Sequence, residues 1–61
     1  MHHNEVKIGM IYYHKLDGRI WHVRVTSLFE DRYRWGFEGV IYEPKDELND
    51  SPCWGWVSEL E

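Results

Sequence analysis

Cysteine is nearly missing from this chain of 61 residues: Cys53 stands alone. A disulfide within one chain is therefore excluded, and a reducing, cytoplasmic setting is the expectation. Basic side chains are scarce in the second half. Residues 35–61 hold one of them, Lys45, against seven acidic ones, while residues 7–34 hold six basic and three acidic. The net charge of −4 disfavours nonspecific nucleic-acid binding. No apolar run approaches the ~18 residues of a membrane span. The first residues lack the apolar core of a signal peptide. No segment keeps a useful helical period, and there are no repeats.

What the chain does have is aromatic surface. Four Trp, four Tyr and two Phe are many for this length, and each buries ~150–250 Å² when enclosed. A domain this small hides only ~60% of its unfolded surface. Two or three of these rings fill its core, and the rest are left for a surface.

The order of the residues predicts strands. Residues 1–5 are polar and are expected as a flexible tail, with residues 6–61 forming one domain. From Val6 to His14 the chain is β-rich, interrupted by Gly9. Asp17-Gly18 follows, the strongest short hairpin signal, because both central residues of a type I′ turn need positive φ. Arg19 to Phe29 is the longest strand candidate. A two-residue turn pairs Leu16 with Arg19, His14 with Trp21, Tyr12 with Val23 and Met10 with Val25. Met10, Tyr12, Trp21, Val23 and Val25 then share the core face, and Ile11, Tyr13, Ile20, His22 and Arg24 the other. Residues 30–34 form a charged turn. Trp35 to Glu43 is a third strand, with Gly36 and Gly39 as bulge or bend positions. Residues 44–52 are a long polar loop, a mobile rim. Cys53 to Val57 is a fourth strand, and residues 58–60 a 3₁₀ turn or a fifth. Four or five short antiparallel strands with tight turns suit a small closed all-β barrel.

Gly9, Tyr12, Gly18, Trp21, Val23 and Val25 follow an outline that resembles SH3-like barrels of the Tudor and KOW kind. More narrowly, Gly9 through His14, Gly18 through Val23, Val40-Ile41-Tyr42, Trp56-Val57 and Leu60 are similar to a bacterial SH3-like domain family of unknown function. The likeness covers most of residues 9–60. It departs in a longer first turn, a longer loop before Trp54, and Ser58-Glu59 where that family has Arg-Pro. The resemblance implies an SH3-like barrel and brings no activity with it.

Several constellations compete for function. His14, His22 and Cys53 are the metal candidates. The register puts the two histidines on opposite faces, and no CxxC or HxxxH spacing occurs, so no metal or other cofactor is expected. The ordinary reading has His14 ending a core strand and His22 on the surface beside Tyr13. Cys53 has no local nucleophile signature and reads as a half-buried small residue. Asp46, Glu47 and Asp50 solvate a loop. No catalytic residue is assigned.

The aromatics carry the functional inference. Trp54 and Trp56 share one face of their strand, and Cys53 and Val57 the other. If Val57 points inward, both tryptophans face out. Tyr13, Trp35, Trp54 and Trp56 are the candidate partner-binding residues, for a protein, a peptide or a second copy. The resemblance would let them form a cage for a methylated ammonium, with Asp50 as its acid. The plain alternative is that two of the tryptophans plug the ends of the barrel. Nucleic acid is the competing partner, held by Arg19, Arg24, Arg32 and Arg34 with nearby rings.

Overall fold

The computed structural model describes residues 1–42 and 51–61. It is mostly β, with four antiparallel strands in one sheet: β1 (Ile11–Leu16), β2 (Arg19–Asp31), β3 (Arg34–Ile41) and β4 (Pro52–Trp56). The sheet order is β1-β2-β3-β4, each strand beside its neighbour in sequence. Two short 3₁₀ turns, His3–Glu5 and Val57–Glu59, flank the sheet.

The first hairpin follows from the sequence. Asp17 and Gly18 both have positive φ, 52° and 76°, as a type I′ turn requires. Leu16 pairs with Arg19, His14 with Trp21 and Tyr12 with Val23. Val23 and Val25 are buried, and Tyr12 and Trp21 pack against the core they form with Val6, Phe37, Val57 and Leu60.

Met10 does not join that core; it is 53% exposed. Gly9 and Met10 together oppose Val25: the Val25 amide donates to the Met10 carbonyl, and the Gly9 amide donates to the Val25 carbonyl. This is a bulge, and Gly9 turns the chain at a φ of 91° that only glycine adopts easily. The extra residue takes Met10 out of the inward alternation.

A second bulge lies at Thr26. Val25 pairs with Gly39 and Ser27 with Glu38, leaving Thr26 unpaired. The expected irregularity at the β3 glycines is therefore met by an extra residue in β2. Gly39 permits the close approach: a Cβ there would lie 2.4 Å from the Arg24 carbonyl oxygen. Beyond the bulge the inward residues of β2 change from odd to even numbers. Leu28, opposite Phe37, packs on the core, and Phe29, opposite Gly36, faces outward.

The chain's two ends close the structure. His14 bridges to Leu60, and Tyr13 and Glu61 exchange both backbone hydrogen bonds, at 3.0 and 2.8 Å. The C-terminal residues thus pair with β1 as a short fifth segment. Residues 1–5, expected as a loose tail, carry a 3₁₀ turn. Within them the terminal ammonium of Met1 donates to the Leu60 carbonyl, and His3 stacks on Trp35 with ring centroids 4.4 Å apart. The third strand ends at Ile41, and Glu43 and the loop after it lie outside the described residues, except for Ser51 and Pro52.

Candidate functional site

The four aromatic candidates occupy different places. Trp35 lies on the inward side of β3 with Phe37, packs on the core and is covered by His3. Tyr13 is exposed on the outer face of the first hairpin, where its ring meets His22 at 4.9 Å. Only Trp54 and Trp56 come together. Their rings meet edge to face at 5.7 Å on the outer side of β4. The alternation that places them there also places Gly55 and Val57 inward, both buried.

Trp54 is 62% exposed, the largest bare ring apart from the turn residue Tyr33. Trp56 is half-buried. Phe29 meets it in a T-shaped contact at 6.2 Å, and the Arg34 guanidinium lies 3.4 Å from its ring centroid. A groove of about 480 Å³ opens beside Trp54, lined by Thr26, Phe29, Glu38, Val40 and Pro52. Glu38 is the cross-strand neighbour of Trp54. Among the described residues no cation pairs with the Glu38 carboxylate.

Phe29, Thr26 and Glu38 were not among the residues singled out from sequence. Simple alternation along β2 does not place Phe29, because the bulge at Thr26 resets it. Counting back from the second turn would have done so. Asp31 pairs with Arg34 around a two-residue turn, which sets Phe29 opposite Gly36. The glycine leaves the space in which the Phe29 ring lies, since a Cβ on Gly36 would come within 2.2 Å of it.

The four arginines do not form one patch. Arg19 lies over Trp21 at 3.7 Å, Arg24 over Tyr42 at 5.1 Å and Arg34 over Trp56. Arg32 sits in the second turn with a φ of 51°. Three of the four thus spend an aromatic face of the protein itself.

The polar pair at the seam between β1 and β4 is of a different kind. His14 is buried, 3% exposed, and its Nε2 lies 3.2 Å from Glu59 Oε1. The same oxygen accepts the Trp56 amide at 2.9 Å. That amide, the largest influence, holds the Glu59 carboxyl below the usual carboxylate range; burial, next in size, opposes it, and the imidazole and the Arg34 charge add smaller lowering effects. The imidazole packs edge-on to Phe37 and against Gly55. A smaller groove of about 240 Å³, lined by His14, Leu16, Trp54, Gly55, Trp56 and Glu59, runs along this seam.

Cys53 packs on the core from β4, and burial pushes its thiol up from the ordinary value. The Asp50 of the proposed cage, and the acidic residues beside it, lie outside the described residues. Among the described residues no three His, Cys, Asp or Glu side chains gather as a metal site, and no helix is long and apolar enough to cross a membrane. No family model, curated protein or solved structure matches this chain.

Proposed function

We propose that this chain is a non-enzymatic binding module of the SH3-like kind, and that the outer face of β4 is where it meets a protein, a peptide or a second copy. The single observation behind the reading is Trp54, a large ring 62% exposed beside a groove on an ordered strand. Exposed aromatic area next to a concavity is costly to leave bare and is typical of binding surfaces. Of the four aromatic candidates, Trp54 and Trp56 form the face. Tyr13 and Trp35 are removed from it by the strands that carry them.

The His14–Glu59 pair serves the fold on this reading. Glu59 Oε1 is engaged by the Trp56 amide, so it ties the closing 3₁₀ turn to β4, and the His14 imidazole hydrogen-bonds its inner side. Cys53 is a poor nucleophile where it stands, because burial disfavours its thiolate. The lone thiol suits work in the cytoplasm. Nucleic-acid binding draws less support, since three of its four arginines rest on the protein's own rings.

The test is site-directed photo-crosslinking. A benzophenone amino acid replaces Trp54 in one protein and Tyr33, 99% exposed at the second turn, in another. The reading expects a discrete adduct, to a protein or to a second copy, from position 54 and not from position 33. Equal labelling at both positions, or none at 54, overturns it.

A further inference from the structure

We propose that the groove beside Trp54 receives the guanidinium of an arginine side chain presented by the partner, stacked on Trp54 and paired with Glu38. The proposal rests on the preceding reading of this face and names what the face selects.

The first ground is the makeup of the groove. Its walls are apolar or aromatic, supplied by Phe29, Val40, Pro52 and Trp54, and its volume of about 480 Å³ holds a long side chain with room for its backbone. Among the described residues its charged group is the Glu38 carboxylate. Glu38 stands directly across from Trp54 on the same outer face, and among the described residues no cation pairs with it. A carboxylate beside an open ring offers both halves of a cation's recognition: charge to pair with and a negative π face to lie on.

The second ground is that the molecule already makes this contact on the neighbouring ring. Arg34 places its guanidinium 3.4 Å from the centroid of Trp56. That face is thereby occupied, while Trp54 meets Trp56 only in a T-shaped contact and stays 62% exposed. The outer side of β4 thus carries two adjacent stacking platforms, one filled from within the chain and one bare. The bare one has the carboxylate beside it.

The third ground is the choice of cation. A guanidinium is planar and weakly hydrated, so it stacks on an indole while its N–H groups fork onto a carboxylate. An ammonium is compact and more strongly hydrated, and it does not present that flat match. The net charge of −4 favours approach of a basic segment in either case, so selectivity falls to the ring and the fork.

The experiment is an NMR titration of the full chain, following the indole N–H signals of its four tryptophans. The probes are capped Gly-Arg-Gly, the same tripeptide with citrulline, which keeps the shape and removes the charge, and the same with lysine. Saturable shifts should centre on Trp54, with binding of arginine about tenfold tighter than citrulline and measurably tighter than lysine. Glu38→Gln, an exposed change that leaves the fold intact, should weaken arginine binding about tenfold and bring it level with citrulline. Equal binding of arginine and citrulline, an unaffected Glu38→Gln protein, or shifts centred on Trp21 or Trp35 overturn the proposal. If the crosslink at position 54 persists while arginine shows no preference, the face stands as a binding surface and the guanidinium assignment falls. If both fail, the face itself is wrong.

Discussion

Trp35 and Trp54 stand on neighbouring strands and end up in opposite conditions. Trp35 points inward, packs on the core beside Phe37, and has the His3 ring laid flat over it. Trp54 points outward and is 62% exposed, with a T-shaped contact to Trp56 as its ring neighbour. Each side also hides one ring against a glycine. On the inner side the His14 imidazole lies where a Gly55 side chain would be, and on the outer side the Phe29 ring lies over Gly36. The inner side is sealed by ring, cap and chain terminus. The outer side is built with the same residue types and left open. Composition alone thus says nothing about which aromatic is scaffold and which is surface; strand parity decides it.

The largest effect should come from exchanging the two tryptophans for alanine. Trp35→Ala removes a ring packed on the core and uncovers His3, a loss of about 2–3 kcal/mol for a half-buried aromatic. A domain of this size has only about 3–9 kcal/mol in total, so its melting midpoint in urea should fall steeply. Trp54→Ala should cost under about 1 kcal/mol. Equal losses would break the distinction between the covered and the bare ring.

The two glycines sharpen the same contrast at lower amplitude. A Cβ on Gly55 would stand 2.7 Å from the imidazole and 3.0 Å from Phe37, both buried side chains. Gly55→Ala should therefore destabilise by about 2 kcal/mol through overpacking. Gly36→Ala meets the far end of the Phe29 ring, which faces solvent and can swing aside. It should cost less, and an outward turn of Phe29 should register as a shifted Trp56 signal. A larger loss at Gly36 than at Gly55 would mean the outer strip is as rigid as the core.

These contrasts mark how far the sequence could be read. The first hairpin was legible down to its pairs, because Asp17-Gly18 admits one turn geometry and the Trp21-Val23-Val25 alternation admits one face. Parity set Val57 opposite Trp54 and Trp56, and the structure decided that Val57 is the inward one. Two placements were hidden for a shared reason: bulges break the count. Gly9–Met10 opposes a single Val25, which put Met10 outside. Thr26 has no partner, which moved Phe29 to the outer strip and made the groove. Tyr13 and Trp35 do not stand with Trp54: Trp35 packs on the core under His3, and Tyr13 lies beside His22 on the first hairpin. The 3₁₀ turn near the end was among the expectations, but its Glu59 contact to His14 spans 45 residues, which no local pattern announces.

The smallest effect concerns that closing turn and its pH dependence. Glu59 is ionised more readily in the folded protein than in the unfolded chain, chiefly because its carboxylate accepts the Trp56 amide, with His14 and Arg34 adding to the effect. A depressed folded value means the stabilisation is present above the unfolded carboxylate range of ~4.3 and is lost as pH falls through the lower folded value. About a third of the side chain is in solvent, so screening keeps the contribution to about 1 kcal/mol or less. Glu59→Gln keeps an acceptor for the amide and removes the charge. Urea unfolding at a series of pH values should show the wild-type protein more stable than Glu59→Gln at pH ~6, with the gap narrowing below pH ~4.3 and closing at still lower pH. Salt should shrink the gap only modestly, because one side of the carboxylate faces a buried imidazole. A gap that is unchanged at low pH would show that the charge of Glu59 is irrelevant to the closure, and that the inner side is sealed by packing alone.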